Sequence, residues 1–413
     1  MTVSPARLAA FEVVRRVFED DAYADRVLRG VSDGLDERER AFARQLAYGT
    51  VQRVRTLDHA IGTLGRRPVR KLDPPVLAAL RLGAYQLGYL GVAPHAATNE
   101  SVELVRTSRL ERAVPFTNAV MRRLAAGMTA LLDALPEGPL KHSYPDWIYD
   151  VWVRDFGEDD ALALMRAQNE RPETVVRLVR GEPDGEPTDV PGAYRVARVD
   201  EQALAEGRVW PQSRASQLGA LALASRDGER VLDSCAAPGG KATMLHGDVV
   251  AVEINEPPRV LLELAENARR LRAANVRVVR ADATDLPPEL GSFDRALVDA
   301  PCSGLGVLAS RPDLRWRATP LPGLQLELLR AAAERVKPGG TLVYSVCTLN
   351  ADESEHVVDA SGLEVDSTLG DEWPQFRHPR RPEFLLTLPH LHRTSGFFIA
   401  RLRRRMVVDS ACP

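Results

Sequence analysis

Strand-like and helix-like segments alternate along residues 211–405 of this 413-residue chain. Because neighbouring parallel strands must be joined by crossovers, which are usually helices, this alternation with mostly short connections predicts a parallel, doubly wound sheet. The predicted strands are 230–235, 248–254, 276–280, 293–298, 341–346 and 397–402, and the predicted helices are 213–224, 257–274, 323–336 and 352–360. Asn255 is expected to cap the second of these helices, with Pro257 and Pro258 in its first turn.

Residues 5–130 have a different pattern, with apolar residues at three- and four-residue spacing between Gly and Pro breakers. This pattern predicts a bundle of five to seven helices. Residues 131–210 are mixed, with helices expected at 147–156 and 159–168 and a strand at 174–179. The predicted organisation is therefore multidomain: an all-α domain over 1–130, a small α+β linker subdomain over 131–210, an α/β domain over 211–405 and a tail over 406–413.

Composition places the chain among ordinary soluble proteins, with 45% hydrophobic and 27% charged residues. The sequence contains no signal peptide and no apolar run near the ~20 residues that a membrane helix needs. Four scattered cysteines favour a reducing cytoplasm, and no Cys/His cluster has zinc-ligand spacing. We therefore expect a cytoplasmic protein, monomeric by default, with neither a membrane nor a metal partner.

Charge is distributed unevenly along the chain. Residues 1–130 hold 20 Lys and Arg against 14 Asp and Glu, a net charge of +6, so the remainder carries −9 of the total of −3. A basic helical part is compatible with a nucleic-acid partner. From charge alone, however, a solvated helical surface is the better explanation.

A Gly-rich turn follows the first predicted strand of the α/β part. Gly239 and Gly240 permit close approach of a ligand, and a helix N-terminus is expected beyond them. The turn matches neither the dinucleotide-binding pattern nor the phosphate-binding loop. Three acids, Asp233, Glu253 and Asp282, end successive strands. A carboxylate at such a position can bond ribose hydroxyls. This trio favours an adenosine pocket without phosphate, which suits S-adenosylmethionine better than NAD or ATP.

Two cysteines follow the next two predicted strands. Cys302 lies in an Asp-Ala-Pro-Cys turn, in which the proline breaks the strand, and Cys347 follows the strand 341–346. Thiols at this sheet edge, beside a nucleotide-type pocket, suggest covalent chemistry on a base. A thiolate that adds to C6 of cytosine makes C5 nucleophilic, although a thiol is only a few per cent ionised at neutral pH. Asp299 is the candidate to bond the base at N3, whereas Cys235 and Cys412 are interpreted as small packing residues.

The segment 310–317, Ser-Arg-Pro-Asp-Leu-Arg-Trp-Arg, follows Cys302. Its arginines could hold phosphate and its tryptophan could stack on a base. The alternative is a charged surface loop anchored by Trp316. The position of the segment, rather than its composition, favours the first interpretation.

Four blocks of the α/β part, 231–241, 294–304, 311–313 and 337–348, together resemble the Sun-type RNA cytosine-C5 methyltransferases. The segments 94–103 and 117–122 are similar to the NusB-type RNA-binding helical domain. The resemblance covers nearly the whole chain. It implies a Rossmann-like methyltransferase domain over 211–405 that uses S-adenosylmethionine, and a NusB-like domain over 1–130. It further implies methylation of cytosine C5 in small-subunit (16S) rRNA.

The resemblance also implies residue roles. Cys347 would be the nucleophile on C6 and Cys302 would assist release of the methylated RNA by β-elimination. Asp299 would contact the base, and Lys241 would help to order the site. The residues expected to line the cofactor pocket are Asp233, Cys235, Ala236, Ala237, Pro238, Gly239, Gly240, Lys241, Glu253, Arg259, Asp282 and Asp299.

The chain departs from the family pattern in small ways: Glu253 stands where Asp is also common, 352–354 differ after the nucleophile, and Thr117 replaces an apolar residue. Two other functions remain open at this point. A DNA cytosine-C5 methyltransferase would use Cys302 as its nucleophile, although the second thiol argues against it. A non-catalytic RNA-binding assembly factor would keep only the helical domain's role.

Overall fold

The computed structural model describes residues 3–182, 184–254 and 259–406, so Asn255, Pro257, Pro258, Cys412 and all but the first residue of the predicted tail lie outside it. The chain forms two compact units. The helical unit comprises residues up to Glu170 together with Leu308–Arg317. The α/β unit comprises Arg171–Val307 and the residues from Ala318 onward.

Ten helices of the helical unit precede residue 170 in the described part of the chain. They are α1 (Pro5–Glu19), α2 (Ala24–Val31), α3 (Glu37–Gln52), α4 (Val54–Gly65), α5 (Pro74–Tyr89), α6 (Pro94–Thr107), α7 (Val114–Ala134), α8 (Pro139–His142), α9 (Asp146–Phe156) and α10 (Glu158–Ala167). The first seven form the bundle that the sequence predicts.

Local sequence explains where these helices begin and which face they bury. The side chain of Asp36 accepts a hydrogen bond from Glu39 N at 2.8 Å and so caps α3. Prolines occupy the first turn of α5 and α6, where a missing N–H costs nothing. In α1 the buried positions recur every three or four residues, for example Ala6, Ala10 and Val13. Each helix therefore presents an apolar stripe to a common core.

The predicted linker over 131–210 is divided between the two units. Helices α8 to α10 pack in the helical unit, where Thr56 Oγ1 donates to Leu140 O at 2.7 Å and the backbone N–H of Arg55 donates to Ser143 Oγ at 3.0 Å. Tyr144 and Trp152 are fully buried there. The sequence shows that these helices have apolar faces, but only the tertiary structure shows which element covers them.

The α/β unit contains two sheets and all the remaining helices except α14. The strands are β1 (Val175–Leu178), β2 (Glu186–Pro187), β3 (Ala193–Arg195), β4 (Val209–Pro211), β5 (Arg230–Asp233), β6 (Asp248–Glu253), β7 (Val276–Arg280), β8 (Phe293–Asp299), β9 (Val336–Val346), β10 (Glu364–Val365), β11 (Leu385–Thr387) and β12 (Phe397–Arg403). The helices are α11 (Glu201–Ala205), α12 (Arg214–Leu221), α13 (Val260–Arg270), α14 (Leu314–Arg317), α15 (Pro322–Arg335), α16 (Glu355–Ser361), α17 (Leu369–Glu372) and α18 (Pro389–His392), of which α14 belongs to the helical unit.

The large sheet has the order β10-β12-β9-β8-β5-β6-β7, with β11 also paired to β12. Strands β5 to β9 are mutually parallel, as predicted. Strand β12 instead runs antiparallel to β9. A buried strand is an apolar run in either direction, so the pattern of 397–402 did not reveal its orientation. The chain order reverses between β5 and β8, and this switch point is where doubly wound sheets bind ligands.

The small sheet, of order β2-β3-β1-β4, is antiparallel throughout. Its central strand β1 contains Arg177, which is buried, and its edge strand β4 contains Trp210. The predicted α+β character of this region is therefore observed for residues 171–211 alone. Both side chains reach the Gly-rich turn that follows β5.

The segment 308–317 is packed within the helical unit, contrary to the interpretation that Arg315 and Trp316 are available to RNA. Arg315 is fully buried and donates to Gln168 O at 2.8 Å and to Asn169 Oδ1 at 2.8 Å. Its guanidinium lies 3.9 Å from the ring centroid of Tyr144, and burial lowers its pKa to about 10. Trp316 Nε1 donates to Val51 O at 2.7 Å. These two side chains fix the segment rather than face solvent.

We expect Arg315→Met to lower the free energy of unfolding by about 2–4 kcal/mol, because buried acceptors lose their donor. Urea unfolding followed by circular dichroism measures the change. The matched control is Arg112→Met, which removes an exposed arginine of the same unit. An unchanged unfolding midpoint combined with lost RNA affinity would restore the RNA-contact interpretation of the segment.

Candidate functional site

The predicted site residues collect at the carboxyl edge of the large sheet. Asp233 ends β5, Glu253 ends β6 and Asp299 ends β8. The register pairs Asp233 with Leu297 and Asp299 with Ser345. Because parallel neighbours end at the same edge, the loops after β5, β8 and β9 meet around the switch point.

The Gly-rich turn after β5 is held by its own backbone and by the next strand. Gly239 N donates to Ala236 O at 2.7 Å, and Gly239 has φ of 102°, a conformation that suits glycine. Ala237 N donates to Glu253 Oε2 at 3.2 Å, and Ile254 N donates to Glu253 Oε1 at 3.0 Å. The carboxylate of Glu253, at the end of β6, therefore lies against the turn.

The helix expected beyond the glycines is absent from the described structure. Ala242–Met244 form a single 3-10 turn, and β6 begins at Asp248. The seven residues between Gly240 and β6 contain only this 3-10 turn, so no α-helix N-terminus contributes positive potential here. The turn therefore depends on individual hydrogen bonds to orient its backbone.

Two side chains of the small sheet supply part of that support, and sequence reasoning missed both. Arg177 donates from Nη1 to Gly240 O at 3.0 Å and from Nη2 to Thr243 Oγ1 at 2.8 Å. A Cβ atom at Gly240 would lie 2.9 Å from Trp210 Nε1, so a larger residue there would displace the indole. In the sequence, the only sign of this supporting role was an Arg within an otherwise apolar strand.

Lys241, which is buried, forms an ion pair with Asp299 at the centre of the edge. Lys241 Nζ lies 2.6 Å from Asp299 Oδ2, and Ser345 Oγ donates to Asp299 Oδ1 at 2.7 Å. The ammonium also lies 5.0 Å from the ring centroid of Phe397. These contacts fix the Asp299 carboxylate, which remains partly accessible beside the thiols.

Asp233 is the most strongly perturbed acid of the site. It is 1% exposed, and Oδ1 has no hydrogen-bond partner among the described residues. Burial, with a further contribution from the charge of Asp299, raises its pKa to about 7, although Lys241 opposes the shift. An orphaned buried acceptor beside a glycine turn fits a ligand that brings a hydrogen-bond donor.

The two thiols are in direct contact. Cys302 Sγ and Cys347 Sγ lie 3.4 Å apart, and both cysteines are half-buried. The hydrogen bond with Cys347, together with burial, raises the pKa of the Cys302 thiol well above its ordinary value. Burial likewise raises the pKa of Cys235, as expected of a packing residue.

Two predicted pocket residues are not brought into contact with this centre. Asp282 is exposed, and its Oδ1 accepts from Thr284 N at 2.9 Å and Thr284 Oγ1 at 2.7 Å, which lowers its pKa. Arg259 is also exposed and precedes α13 instead of lying in it. Ala281 N does donate to Glu253 O at 3.2 Å, so the loop after β7 is joined to the end of β6.

Comparison with known proteins identifies the relatives of this chain. Residues 220–403 match the family model described as 16S rRNA methyltransferase RsmB/F, and residues 4–126 match the NusB family. A probable ribosomal RNA small subunit methyltransferase B of Synechocystis is 33% identical, over 97% of this chain and 99% of the relative. The ribosomal RNA small subunit methyltransferase B of Thermus thermophilus is 36% identical, over 92% of each chain.

The chain belongs to the 16S rRNA methyltransferase RsmB/F family. The resemblance inferred from the motifs is thereby confirmed, and the chain is an RNA methyltransferase. The fold is confirmed as well: the crystal structure of PH0851 matches with a TM-score of 0.79 and 21% identity, over 98% of this chain and 100% of that one. The structure of NSun6 from Pyrococcus horikoshii with SFG matches with a TM-score of 0.52 and 23% identity, over 64% of this chain and 99% of that one.

Family membership favours RNA over DNA as the substrate class and an enzyme over a non-catalytic factor. Among the described residues, no group of three or more His, Cys, Asp or Glu side chains is arranged to hold a metal ion. No helix in the described ranges is both long and apolar enough to cross a membrane.

One more residue of this methyltransferase site escaped sequence reasoning. Glu353 is fully buried behind the thiols, and its carboxylate accepts hydrogen bonds from the loops that follow β8 and β9. In the sequence it is one of several acids after Cys347, and nothing distinguishes a buried acid from a solvated one.

We expect the Asp233→Asn variant, without bound ligand, to become more stable relative to the wild-type protein as the pH rises. The pKa of Asp233 is raised on folding, so its favourable contribution is lost as the pH increases from its unfolded value toward about 7. Relative to the Asn variant, the wild-type protein should lose about 2–3 kcal/mol of stability between pH 5 and pH 8. Urea unfolding at the two pH values measures this difference, and a pH-independent difference would contradict the buried-acid assignment.

Proposed function

We propose that this protein transfers a methyl group from S-adenosylmethionine to C5 of a cytosine in 16S rRNA, with Cys347 as nucleophile and Cys302 as release group. The observation that carries the proposal is the contact between two thiols, 3.4 Å apart, at the sheet edge beside the Lys241–Asp299 pair. Membership of the RsmB/F family supports the choice of rRNA.

The residues around the Gly-rich turn fit the cofactor. The orphaned Oδ1 of Asp233 is available to a donor such as an ammonium group, and Glu253 lies where a ribose can be bonded. S-adenosylmethionine, when bound, supplies an electrophilic methyl group. Asp233, Glu253 and residues 235–241 would hold it, with Arg259, Asp282 and Asp299 as the further predicted neighbours.

The thiols supply the activation that the cytosine ring needs. The Cys347 thiolate would add to C6, forming an S–C6 bond and moving the electrons of the C5–C6 double bond to C5. C5 then takes the methyl group. Transfer of the C5 proton to Cys302 as base, with return of the S–C6 bonding electrons to Cys347 as a thiolate, would restore the C5–C6 double bond and release the methylated base.

Asp299 and Lys241 would govern the base during this sequence. Asp299 would bond the cytosine at N3, where a shared proton compensates the negative charge that addition places on the ring. Lys241 Nζ, 2.6 Å from Asp299, holds that carboxylate in one orientation and offsets its charge. The pair therefore positions the base relative to both thiols.

The cytosine must leave the RNA stack to reach the thiols. Extrusion costs a few kcal/mol and least where the base is already unpaired, so a loop or irregular junction is the expected target. The helical domain over 1–130, with its net charge of +6, would contribute phosphate contacts and a salt-dependent affinity.

We expect Cys302→Ala to trap the covalent intermediate, because the methylated base can no longer be released. The variant is incubated with S-adenosylmethionine and unmodified 16S rRNA fragments and run on a denaturing gel. A slow-migrating protein–RNA adduct should form and should be absent from the Cys302→Ala/Cys347→Ala variant.

A matched control is Cys235→Ala, which removes a thiol of the same sheet edge with no assigned role in attack or release. It should not accumulate the adduct, whatever its rate of turnover, because Cys235 is expected to line the cofactor pocket and not to attack or release the base. An adduct with Cys347→Ala but not with Cys302→Ala would reverse the two roles. No adduct and no methylation by the wild-type protein would contradict the proposed reaction.

A further inference from the structure

Glu353 is a fully buried carboxylate between the loop that follows β8 and contains Cys302 and the loop that follows β9 and contains Cys347. These are called the two thiol loops below. Its Oε1 accepts from Ser303 N at 2.9 Å, Leu321 N at 3.0 Å and Gln325 Nε2 at 3.0 Å. Its Oε2 accepts from Thr348 Oγ1 at 3.1 Å, from Asn350 Nδ2 at 3.5 Å and from Ser303 Oγ. All these donors are neutral, so the carboxylate is kept in the interior by hydrogen bonds alone.

These contacts join the two loops at the residues next to the thiols. Ser303 directly follows Cys302, and Thr348 directly follows Cys347. The two hydroxyl oxygens also lie 2.7 Å apart. One carboxylate therefore fixes both neighbours of the thiol pair, and a change in its geometry must alter the distance between the sulfur atoms.

The backbone around Glu353 is anchored independently. Tyr344 Oη donates to Glu353 O at 2.6 Å, and Tyr344 is itself fully buried in β9. Glu353 N also donates to Asn350 O at 3.0 Å. The carboxylate thus acts from a fixed base, and its effect on the loops does not depend on a mobile segment.

Glu355 provides an internal comparison. This acid, two residues along, is also buried, but it is hydrogen-bonded to His378 Nε2 at 2.8 Å and to Ser354 Oγ at 2.5 Å. Neither partner is next to a thiol: His378 is distant in sequence from both loops, and Ser354 directly precedes Glu355. A second buried carboxylate therefore lies beside Glu353 and differs from it in the groups that it bonds.

We propose that Glu353 is a positioning residue that sets the contact between the Cys302 and Cys347 thiols. The proposal rests on the proposed function for its catalytic meaning, but the thiol contact itself requires neither RNA nor cofactor. The charge of Glu353 is also one of the factors that raise the pKa of Cys302, after the Cys347 contact and burial. Removing it should therefore make Cys302 easier to ionise.

The test compares Glu353→Gln with the wild-type protein and with Glu355→Gln. The glutamine keeps the volume of the side chain but turns one acceptor into a donor that faces other donors. Alkylation of Cys302 and Cys347 by iodoacetamide is followed across pH by peptide mass spectrometry, without RNA. Methyl transfer to 16S rRNA fragments is then measured as kcat and KM.

In Glu353→Gln we expect the alkylation profile of Cys302 to move to lower pH and its rate at pH 8 to rise severalfold. The value of kcat should fall at least tenfold, whereas KM for RNA changes less than threefold. Glu353→Asp, which restores the charge, should recover part of the wild-type thiol profile. Glu355→Gln should lower the melting temperature without moving either thiol profile.

Should Glu353→Gln fail to fold, Ser303→Ala removes one of its hydroxyl contacts and should shift the profile in the same direction by a smaller amount. Wild-type thiol profiles and a kcat within twofold in a folded Glu353→Gln protein would overturn the proposal. If the wild-type protein does not methylate RNA but the thiol profiles shift as expected, the proposed function fails and the positioning role stands.

Discussion

Parallel pairing of β5 and β9 with β8 is the constraint on which the site depends. These strands end at one edge, where the register pairs Asp233 with Leu297 and Asp299 with Ser345, two residues before Cys347. The groups come from distant positions, since 114 positions separate Asp233 from Cys347 along the chain. Without the common register, the Gly-rich turn and the two thiols would have no reason to meet.

Burial of charge gives this edge its chemical character. Asp233, Lys241 and Glu353 are all nearly or fully inaccessible to solvent. Burying a charged group costs free energy, and the three side chains differ in how their surroundings respond to it. Lys241 is paired with Asp299, Glu353 is surrounded by neutral donors, and Asp233 is left with an orphaned oxygen and a raised pKa. An unsatisfied buried group is expected at a site that a ligand completes.

The same rule explains the segment 308–317. Its basic composition is typical of a nucleic-acid contact. Arg315, however, donates its hydrogen bonds to carbonyl oxygens and a side-chain amide oxygen of the helical unit. A buried guanidinium over a tyrosine ring stabilises packing and is not available to phosphate. Any affinity of the helical unit for RNA must therefore come from its exposed basic residues.

The sequence alone determined the order of helices and strands, the fold class and the family, because apolar periodicity and short contiguous motifs are local properties of the chain. It also marked Cys302, Cys347, Asp299 and Lys241, whose motifs contain them. Only the tertiary structure decided the antiparallel direction of β12, the division of 131–210, the burial of Arg315 and the positions of Arg177 and Glu353. Each of these depends on which distant element covers a side chain, and an apolar run or a single charged residue looks the same in the sequence whichever partner it finds.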